Sequence, residues 1–152
     1  MLEAAARVSQ VITSILDLED LFHVAVNTIS EEYGFSFTAI FLLEGEWAVL
    51  KAAQGQRGLS LLEEGHRVKV DDSTIVGQAI RQREARLARS HQDAPLDLVL
   101  LSFSEMALPL IVKDVALGAL SVHSTHPDAF ADEDMRALQS LADQVAIAIA
   151  AA

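Results

Sequence analysis

The stretch SEMALPLIVKDVALGALSVHS, residues 104–124, decides the fold. It is apolar almost throughout, broken once by Lys113-Asp114, and carries Pro109 in its first half. A membrane-spanning helix needs about 20 unbroken apolar residues, and the charged pair falls in the middle of this one. A water-soluble helix would lose a hydrogen bond at Pro109, at a cost of ~3 kcal/mol. Two strands joined at Lys113-Asp114 meet neither objection. Their apolar residues occupy both alternation classes, so both faces of the sheet must be covered. Pro109 fits such a strand only where its missing N–H falls at a bulge or an unpaired position. The stretch predicts a hairpin buried between helices.

Working outward, FSFTAIFLLE from Phe35 is aromatic and β-branched, and EWAVLKAAQ follows it closely. This predicts an earlier hairpin that turns at Glu44-Gly45. GQRGLSLLEEG reads as a loop with room for a short helix, and HRVKV as a short strand. DDSTIVGQAIRQRE opens with capping residues and continues as a short helix over 74–82. ARLA is one more strand, and residues 90–103 are polar at first and then apolar. Upstream, Leu18, Phe22, Ala25, Val26, Ile29 and Tyr33 form a helical stripe that Gly34 stops as a C-cap.

The two ends carry narrower seams. Ala5, Val8, Ile12 and Ile15 step by three and four, as do Leu138, Ala142, Val145 and Ile149 after three acids in a first helical turn. Terminal helices over 1–17 and 132–152 are expected to close a homodimer through Val8, Ile12, Ile15, Leu138, Ala142, Val145 and Ile149. The last helix ends in alanines without a stop signal, which suggests a cut through a longer helix of a larger protein.

A chain of 152 residues makes one domain, and its 51% hydrophobic content suffices for a core. A formal net charge of −11 argues against a nucleic-acid partner. No signal-peptide pattern opens the chain. With no cysteine there are no disulfides, thiolate metal sites or cysteine nucleophiles, and the chain suits the cytoplasm. Neither a nucleophile elbow nor a phosphate-binding glycine loop appears, so the domain is not expected to be an enzyme. VHSTHPD places His123 and His126 near Asp128, a set suited to zinc or iron. Pro127 directs the chain away, however, and two solvated loop histidines are the reading taken. His91 is weighed as a haem ligand against an exposed loop residue; neither metal nor haem is expected.

The order of elements resembles a GAF domain, and so does the wording. FTAIFLLE with WAVLKAAQG, GHRVKV with STIVGQAI, SEMALPL, LGALSVHST, PDAFADED and LQSLADQVAIAI follow that family over nearly the whole chain. The resemblance is closest to the sensor modules of bacterial histidine kinases and related signalling proteins. It implies an α+β fold with a central antiparallel sheet of core order 2-1-5-4-3, five to six strands, and helices on both faces. The terminal helices would pack on one face; the short helix and long loops would enclose a small-molecule pocket on the other. Covalent bilin attachment and the reduction of free methionine sulfoxide, both known on this fold, need a cysteine that is absent here. The cyclic-nucleotide signature is incomplete: Phe130 and Asp134 align with its end, but Met135 follows, and no lysine follows an asparagine.

The implied function is a non-catalytic sensor that binds a small ligand and drives a downstream output domain, without inserting in a membrane. A ligand-free dimerisation or spacer module is the alternative. The expected pocket comprises the helix over 74–82, the loop over 90–103 and the strand that begins at Ser104. An anionic ligand would sit at Ser73 and Thr74, with Arg81, Arg86, Arg89, His91 and Ser104 in reach. Each of these also reads as a helix-cap or solvated surface residue.

Overall fold

A computed structural model describes residues 4–8, 17–89, 104–126 and 129–151. Residues 104–124 form the expected hairpin. Strands β5 (Ser104–Val112) and β6 (Val115–Ser124) pair antiparallel from Ser104↔Ser124 to Val112↔Val115. Lys113 (φ 51°) and Asp114 (φ 66°) make the two-residue turn, and positive φ at both centres matches the twist of the strands. Pro109 sits where the chain can tolerate it. Strand β4 (Arg86–Arg89) pairs only with Ser104–Ala107 and so stops short of it, and the β5–β6 register shifts between Leu110 and Ile111. The Pro109 carbonyl accepts from Gln139 Nε2 at 3.1 Å. A strand residue directs its nitrogen to the same edge as its carbonyl, so the missing N–H costs the β5–β6 ladder nothing.

The sheet is completed by β1 (Phe37–Glu44), β2 (Trp47–Ala53) and β3 (Arg67–Lys69), in the order β3-β2-β1-β6-β5-β4. Its five central strands have the implied 2-1-5-4-3 topology, with β3 added at one edge. The first hairpin turns one residue later than the sequence suggests, with Gly45-Glu46 between the paired Glu44 and Trp47. Gly118 lies in the middle of the sheet, opposite both Leu42 and Leu110. A Cβ there would come within 1.9 Å of the Phe41 carbonyl oxygen, so only glycine allows β1 and β6 to approach this closely.

Helix α1 (Leu18–Tyr33) is capped by the Asp17 carboxylate, which accepts from the Glu19 and Asp20 amides. Gly34, at φ 72°, ends it. Helices α1 and α4 (Asp132–Ala151), with the helical residues 4–8, cover one face of the sheet, where Ile40, Met106, Leu108, Leu110, Leu120 and Val122 meet them. Helices α2 (Gly55–Glu63) and α3 (Ile75–Gln82) cover the other. That face is paved with small residues, Ala39, Ala53, Ala88, Ala107 and Ala119. The expected three-layer architecture is present.

The seams expected at a dimer interface are spent within one chain. Val8, Leu138, Ala142 and Val145 are fully buried in its own core, and Ile149 packs against that core. An amphipathic stripe of this period serves a sheet as well as a second helix, and here the sheet takes it. Ile12 and Ile15 lie outside the described residues.

Candidate functional site

The face beneath α2 and α3 carries three buried polar side chains. Glu105 opens β5, and Ser121 and His123 stand two residues apart on β6; they are 3%, 1% and 1% exposed. Their meeting depends on the β-bulge. Counting back from the turn, a regular ladder would set Glu105 opposite Val122 and turn His123 to the other face. The shift that leaves Leu117 unopposed moves the register by one, so Glu105 pairs with His123 and Ala107 with Ser121. On the far side of β6, Phe37 stands opposite His123, and their rings meet edge-on at 5.4 Å.

The hydrogen bonds have a direction. Ser121 Oγ donates to Glu105 Oε2 at 3.1 Å and lies 3.0 Å from His123 Nε2. Its single proton is given to the carboxylate, so Oγ accepts from a protonated Nε2. His123 Nε2 lies 3.5 Å from Glu105 Oε2 as well. The result is a closed triangle, with Nε2 facing both partners. In a nucleophilic triad the imidazole uses one nitrogen for the hydroxyl and the other for the carboxylate. Here one nitrogen, Nε2, faces both the hydroxyl and the carboxylate, which is not the geometry of such a triad.

An enclosed space of about 10 Å³ adjoins the triangle, walled by Phe37, Phe41, Leu50, Leu61, Val68 and Val76, with His66 and Thr74 on its border. That is room for about one water. Thr74 caps α3, its Oγ1 accepting from the Gly77 amide at 3.1 Å. A Cβ at Gly77 would lie 2.5 Å from the Asp71 carbonyl oxygen, so glycine lets α3 sit against the end of β3.

Of the residues expected to bind a ligand, only Thr74 lines this space. Ser73 is exposed, and its amide donates to Asp71 Oδ1 at 2.8 Å. The side-chain and backbone hydrogen bonds from Ser73 hold the Asp71 carboxyl below its usual range. Arg81 pairs with Asp72 at 3.1 Å on the surface. Arg86 reaches α3, where its Nε donates to Gln78 Oε1 at 3.3 Å. Ser104 is buried but turned aside, donating to the His126 carbonyl at 2.6 Å. Arg89 lies on β4, while His91, the rest of residues 90–103 and Asp128 lie outside the described residues. His123 is a core residue, contrary to the expected solvated loop histidine. Sequence reading missed Glu105, Ser121, Phe37, Phe41 and His66, and weighed His123 only as a metal ligand or a solvated residue. The period-two spacing of Ser121 and His123 in an otherwise apolar strand was the available signal.

Among the described residues, no group of three His, Asp or Glu side chains is placed to hold a metal ion. No helix there is long and apolar enough to cross a membrane.

A family model described as "GAF domain" matches residues 15–150. The chain is similar to the GAF domain of an Acinetobacter phosphoenolpyruvate-protein phosphotransferase. The TM-score is 0.84 and the identity 21%, over 99% of this chain and 92% of the other. It is similar to the free methionine-R-sulfoxide reductase of Neisseria meningitidis, solved in complex with its substrate (TM-score 0.84, 19% identity, 98% and 87% covered). Residues 122–287 of a methyl-accepting chemotaxis protein are a third such structure (TM-score 0.77, 18% identity, 95% of each chain). At these identities the likeness is one of fold. No curated protein matches the chain.

Proposed function

Since this chain belongs to the GAF family, we propose that it is a non-catalytic sensor domain of a signalling protein, in which a small molecule enters between the sheet and α2–α3. The observation that carries this reading is the Glu105–Ser121–His123 triangle. Burying a carboxylate and an imidazole beneath apolar helices costs several kcal/mol, and an apolar trio of similar volume would be as stable or more so. A sequence that paves the same face with alanines has apolar solutions at hand. Polar groups kept there serve recognition.

The proposed mechanism is a population shift. A ligand that binds one arrangement of α2, α3 and the adjoining loops about tenfold better biases the domain by about 1.4 kcal/mol. β6 is the route outward, because the His123 carbonyl accepts from the Ser36 amide at 2.9 Å just after α1, and β6 leads on to α4. The proposed parent is a cytosolic signalling protein such as a sensor histidine kinase, with an output domain that reads the displacement. A homodimer belongs to this reading, through outward positions of α4 such as Ile147, which is 60% exposed.

The small size of the enclosed space favours a second reading, a spacer module whose pocket is collapsed. A thermal-shift screen with nucleotides, amino acids and tetrapyrroles separates the two. A ligand at about 100 times its Kd adds about 2.7 kcal/mol, and no shift with any class supports the spacer.

A further inference from the structure

Among the described residues that line the enclosed space beside the triangle there is a carboxylate, Glu105, but no lysine or arginine. We propose, resting on the sensor reading above, that the ligand of this site is a compact alkylammonium ion. Its charged head meets Glu105 and its hydrocarbon body takes the place of Leu61.

Electrostatics select the head. Within the triangle Glu105 receives its hydrogen bond from a neutral donor, the Ser121 hydroxyl, at 3.1 Å. His123 Nε2 lies 3.0 Å from Ser121 Oγ and farther, 3.5 Å, from the carboxylate. Both contacts fall on Oε2, whereas a carboxylate takes about four donors. An ammonium head adds charge-assisted bonds, roughly twice as strong as those of an alcohol of the same shape. An anion in the same buried space would be repelled by the carboxylate. His66 and His123, the other titratable groups on this lining, can both stay neutral beside a cation. The groups expected to seat an anion are engaged elsewhere. Arg81 pairs with Asp72 and Arg86 with Gln78. At the N-terminus of α3, Thr74 Oγ1 takes the Gly77 amide and Asp71 Oδ1 that of Ser73.

Packing selects the body. The enclosed space of about 10 Å³ has room for about one water, which an ammonium head matches in size. A longer ligand must displace a wall, and the wall easiest to displace is Leu61, the one lining residue from α2. Six of the eight residues of α3 are buried, against two of nine in α2, Gly58 and Leu61. No side chain caps the first turn of α2. An element so held opens at lower cost than α3. A branched alkyl group in the place of the Leu61 side chain would lie among Phe37, Phe41, Leu50 and Val76, and apolar contact of that kind replaces what the leucine gives up.

The test uses three compounds with one isobutyl body: isobutylamine, a cation at neutral pH, isobutanol, which is neutral, and isovalerate, an anion. The melting temperature of the full chain is followed as each is added at constant ionic strength. Isobutylamine should give a saturable rise, with half-saturation about tenfold below that of isobutanol, and isovalerate should give none. Leu61→Ala, which empties the place of the body, should bind isobutylamine about tenfold tighter, its circular dichroism verifying the fold. Glu105→Gln should lose the preference for the amine over the alcohol. Equal response to amine and alcohol, or a response to isovalerate, would overturn the ligand class while leaving a small-molecule sensor in place. Silence of both the parent and Leu61→Ala toward isobutylamine would overturn it too, and the sensor reading would then stand or fall on the wider thermal-shift screen.

Discussion

Replacing His123 with leucine should cost much of the stability of the domain, and replacing Glu105 as well should restore it. The two side chains are 1% and 3% exposed and approach to 3.5 Å, with Ser121 bridging them. His123→Leu leaves the Glu105 carboxylate in the same buried place without its imidazole. Breaking a buried pair in this way costs about 3–5 kcal/mol, out of a total near 5–15 kcal/mol for a domain. Glu105→Leu strands the imidazole in turn and should also destabilise the domain. The double variant Glu105→Leu/His123→Leu fills the site with apolar groups and should return to within about 1 kcal/mol of the parent, or exceed it. Urea denaturation followed by circular dichroism reads all four proteins. For a slope near 2 kcal/mol/M, His123→Leu lowers the midpoint by roughly 1.5–2.5 M. The reasoning fails if His123→Leu stays within about 0.5 kcal/mol of the parent, or if the double variant is less stable than either single one.

Three further outcomes follow from the packing. Tyr33→Phe should hold or raise stability, because the buried Tyr33 hydroxyl finds no partner among the described residues while its ring stacks on Phe35 at 5.4 Å. Burial, then Asp134 and Glu32, raise the Tyr33 pKa. The folded state therefore holds this proton more tightly, so stability falls as pH rises past about 10; alkaline urea titrations should show that decline lessened in Tyr33→Phe. Gly118→Ala should cost more than ~3 kcal/mol, since the new methyl meets the Phe41 carbonyl and the strands must separate; thermal unfolding measures it. Val145→Asp should unfold the chain rather than merely separate two copies, because Val145 lies wholly in the core; sedimentation combined with circular dichroism distinguishes the two.

The fold was legible because local signals agreed with one another. Lys113-Asp114 interrupts an apolar run where a turn must fall, Pro109 excludes a helix, and Gly34 closes a stripe that begins after Asp17. The site was far less legible. Thr74 could be found because capping is a local pattern. Glu105 and His123 meet only because β6 has one extra residue opposite β5, and no composition of a short window announces that bulge. The seam through Leu138 and Val145 showed the reverse difficulty: its period is the same whether the helix packs on a sheet or on a second helix.

The sensor reading turns on whether a ligand reaches the Glu105–Ser121–His123 triangle. The direct measurement is the thermal-shift screen run in parallel on the parent chain and on Glu105→Leu/His123→Leu. At least one ligand class should raise the melting temperature of the parent and leave that of the double variant unmoved. A screen that shifts neither protein, or shifts both equally, would contradict the account.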